Sequence, residues 1–122
     1  MSADIEVEAS CHCGAVRIAL PRAPAEVTDC NCSICRRLGV LWAYYAIAEL
    51  RFVARGETVT YAWGERKIQF HHCATCCCTT HWWPADPARG RCGINARLLE
   101  LRVLGGARVR HLDGAGAEEY VD

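Results

Sequence analysis

Apolar and polar residues alternate in short runs along this chain, with no long stretch at helical spacing, and that pattern predicts strands joined by turns. "IEVEA" at 5–9 alternates strictly, and "AVRIAL" at 15–20 is rich in β-branched residues before Pro21 and Pro24 interrupt it. "VLWAYYAI" at 40–47 is aromatic and apolar throughout, as expected for a strand buried on both faces. "LRFVARG" and "TVTYAWG" follow as further alternating runs. "TYAWGERKIQFHH" at 60–72 predicts two strands joined at Gly64, Glu65 and Arg66. "THWW" at 80–83 predicts a strand running into a loop at Pro84, Asp86 and Pro87. "RCGIN" predicts another strand, "ARLLEL" a helical turn or two, and "ARVRHLDG" a last edge strand. "DGAGAEEYVD" is expected to be a loosely held tail. Short strands at this regular spacing point to a mainly β fold.

Length and charge narrow the picture. The 122 residues suffice for one domain with its own core, and no linker, repeat or biased block divides them. A single domain over 1–122 is expected, its core spanning about 5–112. Fourteen basic residues balance fourteen acidic ones, so no positive field is available to hold a phosphate backbone. Nucleic acid is not an expected partner. The N-terminal "MSADIEVEAS" has neither the basic start nor the apolar run of a signal peptide, and no window reaches about 18 apolar residues. A cytoplasmic protein with no membrane contact is the expectation, with self-association left open.

A reducing compartment changes the meaning of the ten cysteines, because it disfavours a disulfide scaffold. Their spacing suggests metal instead: Cys11 and Cys13 form C-x-C, Cys30, Cys32 and Cys35 form C-x-C-x-x-C, and Cys73 and Cys76 form C-x-x-C. Residues two apart on a strand share a face, so each C-x-C is expected to aim two sulfurs at one point. Clustered thiolates suit a soft tetrahedral ion such as zinc. Cys11, Cys13, Cys73 and Cys76 together would close a four-sulfur site, leaving no corner for a substrate. Cys30, Cys32 and Cys35 fill only three corners and leave one for water or substrate, as in catalytic zinc sites. A fourth ligand from His12, His71, His72, His81 or Cys92 would close that site too.

Four motifs in order, "CHCGAV" at 11–16, "CNCSICRR" at 30–37, "FHHCATC" at 70–76 and "GINARLLE" at 93–100, resemble the glutathione-dependent formaldehyde-activating enzyme family, also called the centromere-protein-V/GFA domain. The resemblance implies a β-tent fold and two zinc sites, with Cys11, Cys13, Cys73 and Cys76 holding the structural ion and Cys30, Cys32 and Cys35 the catalytic one. It also implies a carbon–sulfur lyase type of activity, the joining of glutathione and formaldehyde to S-hydroxymethylglutathione or the reverse. A small aldehyde and a small thiol would be the partners.

Glutathione carries two carboxylates, and Arg36, Arg37, Asn95 and Arg97 in these motifs are candidates to bind it, arginine through its planar fork. Surface or backbone contacts are the bland alternative for each arginine. Trp42 follows the cysteine triplet after a short turn, which makes it the aromatic expected nearest the site; Tyr44, Tyr45, Trp82 and Trp83 could wall a pocket or simply fill the core. His71 and His72, adjacent on a strand, should face opposite sides, so at most one faces Cys73. One position departs from the family: Cys77 stands where relatives have glycine after C-x-x-C, a place where a left-handed backbone costs a side chain about 1 to 2 kcal/mol. Cys77 or Cys78 could then replace Cys76 as ligand, although Cys78 is expected to be packing. A non-catalytic zinc-binding interaction module is the alternative to an enzyme, and a thiol-based redox protein a third reading.

Overall fold

The computed structural model describes residues 5–122; residues 1–4, the start of the acidic stretch expected not to be a signal peptide, lie outside it. The alternating run at the N-terminus becomes β1 (Val7–Ser10), which pairs antiparallel with β2 (Val16–Leu20). "LRFVARG" supplies β5 (Arg51–Arg55), which pairs with the other edge of β2 to complete a three-stranded sheet. The larger sheet is built from β3 (Glu26–Cys30), β4 (Trp42–Ala46), β6 (Thr58–Tyr61), β7 (Ile68–Cys73), β8 (Thr79–Pro84), β9 (Arg91–Asn95) and β10 (Arg108–Leu112). Its order is β10-β3-β4-β9-β8-β7-β6, antiparallel throughout except for the parallel pair β10 and β3. Two four-residue helices interrupt the strands, α1 (Cys35–Leu38) and α2 (Leu101–Leu104). The chain is mainly β, with two sheets, as its pattern predicts.

Most elements fall where the alternation places them. β4 is buried on both sides through Trp42, Ala43 and Tyr45, and β6 and β7 are the strands flanking the Gly64 turn. "ARLLEL" forms a tight 3-10 turn over Ala96–Leu98 ahead of α2. Two features differ from expectation. β3 follows two prolines and carries acidic residues at Glu26 and Asp29, so it has no clean alternation; its pairing with β4 and β10 makes it a strand. The tail is not loose. Leu112 and Tyr120 form an antiparallel bridge, Val121 N–H donates to His111 O at 2.9 Å, and Tyr120 Oη shares a 2.8 Å hydrogen bond with Thr28 Oγ1. Arg110 lies 3.9 Å over the Tyr120 ring, adding a cation–π contact.

Two apolar clusters organise the interior. The larger joins both sheets through Val16, Ile18, Leu20, Val27, Ala43, Tyr45 and Ile94, and each fully buried aliphatic stabilises the fold by about 1.5 to 3 kcal/mol. Cys73 and Cys92 belong to it. The smaller gathers Cys30, Cys35, Val40, Trp42 and Phe70 under the other face of the large sheet. Consecutive tryptophans on β8 part accordingly: Trp83 packs on the first cluster and Trp82 on the second, as strand alternation requires. No helix among the described residues is long and apolar enough to cross a membrane.

Candidate metal centres

The first cysteine group is made by two tight turns that meet. After β1, Gly14 N–H returns to Cys11 O at 3.1 Å, and Gly14 takes a φ of +82° that closes the turn around Cys13. After β7, Cys77 N–H donates to Cys73 O and Cys73 N–H to Cys78 O, each at 2.9 Å, which folds Cys76 back toward Cys73. Cys11 and Cys13 Sγ are 3.7 Å apart, and Cys13 and Cys73 Sγ 3.6 Å. A zinc–sulfur bond of about 2.3 Å implies a tetrahedral edge of about 3.8 Å, so these thiols fit the ion. The convergence has a different cause from the one expected. Cys13 lies in a turn, not on a pleat: Cys11 is buried and Cys13 exposed.

Backbone N–H groups are aimed at these sulfurs. Val16 N–H reaches Cys11 Sγ at 3.3 Å, and Thr75 N–H reaches Cys73 Sγ at 3.4 Å. The N–H of Cys78, then that of Cys13, pull the Cys76 thiol down to about 5, and those of Cys76 and Thr75 hold Cys73 below the usual thiol range. Cys13, despite the N–H of Ala15, is left higher, at about 11, by partial desolvation and its neighbouring thiols. Charge therefore concentrates on the Cys73 knuckle. Cys77 adopts a φ of +65°, a left-handed conformation that a glycine would take without strain, and its side chain is exposed. Cys78 packs against the larger core.

The second group forms where β3 gives way to α1. Cys30 ends the strand, Cys32 follows in the turn and Cys35 opens the helix, whose first turn is set by Arg36 N–H to Cys32 O at 3.2 Å. The three Sγ atoms lie within 4.8 Å of one another, and among the described residues no histidine, carboxylate or further cysteine completes the group. Burial pushes the Cys35 thiol far up and Cys30 up. Burial also opposes ionisation of Cys32, but Cys35 N–H at 3.4 Å and the adjoining thiols outweigh it and bring it below the usual range. Three thiols crowded in a buried pocket, one already inclined to ionise, suit a zinc ion with one corner left over.

Cys30, Cys32 and Cys35 line a cleft of about 460 Å³. Its aromatic lining is Trp42 and Tyr44 from β4, Trp63 from the turn after β6, Phe70 from β7 and Trp82 from β8. Trp42 Nε1–H donates to Cys35 Sγ at 3.3 Å. Gly93 is required beneath Trp82, since a Cβ there would lie 2.0 Å from the indole nitrogen. Burial raises the Tyr44 phenol to about 12, so it stays protonated. The tail forms another wall: a Cβ on Gly114 would sit 2.5 Å from Cys30 Sγ, and Asn31 holds this loop through Asp113 Oδ1 at 3.0 Å and Ala115 N–H at 2.9 Å. Glu65, Arg66, Lys67 and Glu118 line the same cleft. The left-handed non-glycine residues among those described are Arg66, Cys77 and Glu118; two line this cleft and the third adjoins the other thiol group.

Other residues singled out by sequence lie elsewhere. Arg36 and Arg37 are exposed outside the cleft lining, and Arg37 Nη1 donates to Ser33 O at 2.8 Å. Arg97 Nε donates to Gly39 O at 2.7 Å. Asn95 is buried; its Nδ2 donates to Thr79 O at 2.8 Å while its Oδ1 accepts from Leu41 and Arg97 N–H, so its side chain locks three segments together. His71 stacks on His81 at 4.2 Å and contacts Thr58 through Nδ1, while Cys92 is fully buried with its thiol toward Tyr45 O. Burial keeps Cys92 protonated, at about 12. Arg66, Lys67, Trp63, Gly114 and Glu118 escaped the sequence reading. The only signals for them are a charged "GERK" turn and a glycine-rich tail.

Residues 6–104 match the family of glutathione-dependent formaldehyde-activating enzymes. The chain belongs to this family. Among solved structures, this family member is similar to a crystal structure of a Rhodobacter sphaeroides protein. The two are 33% identical over 84% of this chain and 98% of that one, with a TM-score of 0.67. No curated protein matches the chain significantly. The family is associated with enzymes, and the two thiol groups of this member could hold zinc. The matched region ends before β10, so the tail that walls the cleft lies outside it.

Proposed function

We propose that the protein is a zinc-dependent carbon–sulfur lyase of the formaldehyde-activating type, which joins a small aldehyde to a thiol such as glutathione or splits the adduct. The observation that carries this reading is the three-cysteine group at the floor of an aromatic cleft, with a coordination corner left for a ligand. In this reading Cys11, Cys13, Cys73 and Cys76 hold a structural zinc, and Cys30, Cys32 and Cys35 a catalytic one. When bound there, zinc would supply Lewis acidity for a carbonyl or for a thiol's ionisation.

The chain's own residues do the rest. The thiol sulfur forms a bond to the aldehyde carbon, the carbonyl electron pair moves to oxygen, and the thiol proton ends on the new hydroxyl; cleavage reverses each transfer. Trp42 N–H donates to Cys35 Sγ and would draw charge off that thiolate, so a zinc held there would be more electrophilic than one held by three unbonded thiolates. Phe70, Trp82 and Tyr44 exclude water from the floor of the cleft, strengthening electrostatic effects there. Arg66 and Lys67 at the mouth supply cations for an acidic thiol, a task for which Arg36, Arg37, Asn95 and Arg97 are less well placed. An interaction module would need no such cleft.

Zinc content and adduct formation, measured together, test the reading. Wild type should hold two zincs per chain and accelerate glutathione–formaldehyde addition above the uncatalysed rate. Cys32→Ser should keep one zinc and its fold and lose the acceleration. A zinc-replete wild type with no acceleration would overturn the lyase assignment.

A further inference from the structure

The cleft does not end at Lys67. A second hollow shares Tyr44, Lys67, Ile68, Trp82 and Leu112 with it and extends it past Pro84 to Arg89, Arg91 and Tyr120. Lys67, Arg89 and Arg91 bring three cations to this end, and no carboxylate lines it. Among the described residues neither Arg89 nor Arg91 has a carboxylate within ion-pairing distance, in contrast to Lys67, which pairs with Glu65 at 2.7 Å. Arg91 is also pre-positioned. Its guanidinium lies 4.0 Å over the Tyr44 ring, which fixes the fork on the cleft wall instead of leaving it to sweep through solvent.

Register gives the spacing. Tyr44 stands two residues along β4 from Trp42, whose indole touches Cys35, and two strand residues span about 7 Å. Arg91 itself pairs with Ala46, further along β4, so a ligand sulfur above the three cysteines would have a guanidinium waiting about 7 Å or more along the cleft. A free cysteine is too short, since its carboxyl carbon lies about 3 to 4 Å from its sulfur. A thiol whose carboxylate is separated from the sulfur by a peptide-length spacer spans the distance.

We propose that Arg89 and Arg91 form the specificity-determining end of the cleft, binding a carboxylate of a peptide-like acidic thiol. The inference rests on the thiol-adduct reading of the same site, and it assigns a role to residues that no cysteine motif includes. Both arginines are exposed, so replacing them leaves the core intact.

Glutathione and its diethyl ester, in which both carboxylates are masked, separate the possibilities when compared on zinc-loaded wild type and the Arg89→Gln/Arg91→Gln double variant. Wild type should favour glutathione over the ester in kcat/KM by about tenfold or more, a factor set by charge-assisted hydrogen bonds. The double variant should lose that preference through KM, leaving kcat and the ester's rate unchanged, and Arg89→Lys/Arg91→Lys should recover part of it. Equal losses on both thiols, or a wild type indifferent to esterification, would overturn the assignment. Binding is read independently by tryptophan fluorescence on titration with S-methylglutathione and its diester, because Trp42 and Trp82 line the cleft. If wild type proves inactive yet binds the acid more tightly than the ester, and the double variant does not, the lyase reading fails while the cationic end stands. Absence of that binding preference sinks the cationic end whatever the activity.

Discussion

Cys11, Cys13, Cys73 and Cys76 meet between two backbone turns, whereas Cys30, Cys32 and Cys35 meet at the bottom of an open cleft. Both groups offer the same donor atom. They differ in how many corners the chain fills and in what covers the remainder. At the first group, N–H bonds from Val16 and Thr75 satisfy the sulfurs, and the two turns come from different sheets, so an ion there staples β1 to β7. At the second, the contact to Cys35 comes from an indole that is itself part of the cleft wall, and the tail loop at Gly114 closes one side. In the proposed reading, coordination number and surroundings, more than ligand identity, divide a staple from a reactive centre.

Removing a thiol from each group should expose that difference most sharply. A structural zinc contributes on the order of 10 kcal/mol, comparable to the entire stability of a small domain. Cys73→Ser is therefore expected to abolish the cooperative thermal transition followed by circular dichroism, even with zinc added, while Cys32→Ser melts as a folded protein. A Cys73→Ser protein that melts like wild type would reverse the roles given to the two groups.

A smaller effect concerns the framework between them. His81 is buried against His71 from β7, with Phe52 and Trp83 around it and Arg55 nearby, and desolvation first, then His71 and Arg55, lower it to about 3. An unfolded chain takes up a proton on this residue below about pH 6.5, and the folded chain resists until about pH 3. Stability is therefore full above pH 6.5 and falls with acid, by about 1 kcal/mol per pH unit over the first units of that window. His81→Asn should flatten the slope of urea stability between pH 6.5 and 5 relative to wild type. Metal loss acts on both proteins alike, so an unchanged slope would place all acid sensitivity in the thiol groups.

The smallest effect lies at the first group alone. Cys77→Gly removes the Cβ from a left-handed residue, and the relief of about 1 kcal/mol, net of glycine's greater unfolded freedom, should raise the melting temperature by a few degrees. A lower melting temperature, or loss of zinc, would mean that Cys77 takes part in binding, contrary to its exposed position.

Much of this was legible in one dimension. Alternation marked β1, β5 and β6, β-branched residues marked β2, and turn residues marked the boundary between β6 and β7 and the end of β8, because half-buried strands and left-handed turns each impose a local residue choice. β3 was not legible, since partners on both sides make a strand of "EVTDC" despite its acids. Nor was the docked tail, whose hold depends on Tyr120 reaching Thr28 across more than ninety residues. Asn95 and Arg97 sit in a motif that marks the family, yet in this fold the first joins three segments and the second caps a carbonyl of the Gly39 turn.

Residue alternation and turn residues by themselves determined a mainly β chain, and cysteine spacing determined that it is suited to zinc, because short spacings keep donors close together whatever the rest of the chain does. Which wall stands over the three-cysteine group is a different kind of fact. Arg66 comes from the turn between β6 and β7, Arg89 from the connection between β8 and β9, Arg91 from the start of β9 and Glu118 from the tail, and strand order within the large sheet, together with the return of the tail, brings them to two adjoining hollows. Contacts between residues so far apart along the chain leave no local signature, since the forces that select them, burial and charge at a shared surface, exist only once the sheets have formed.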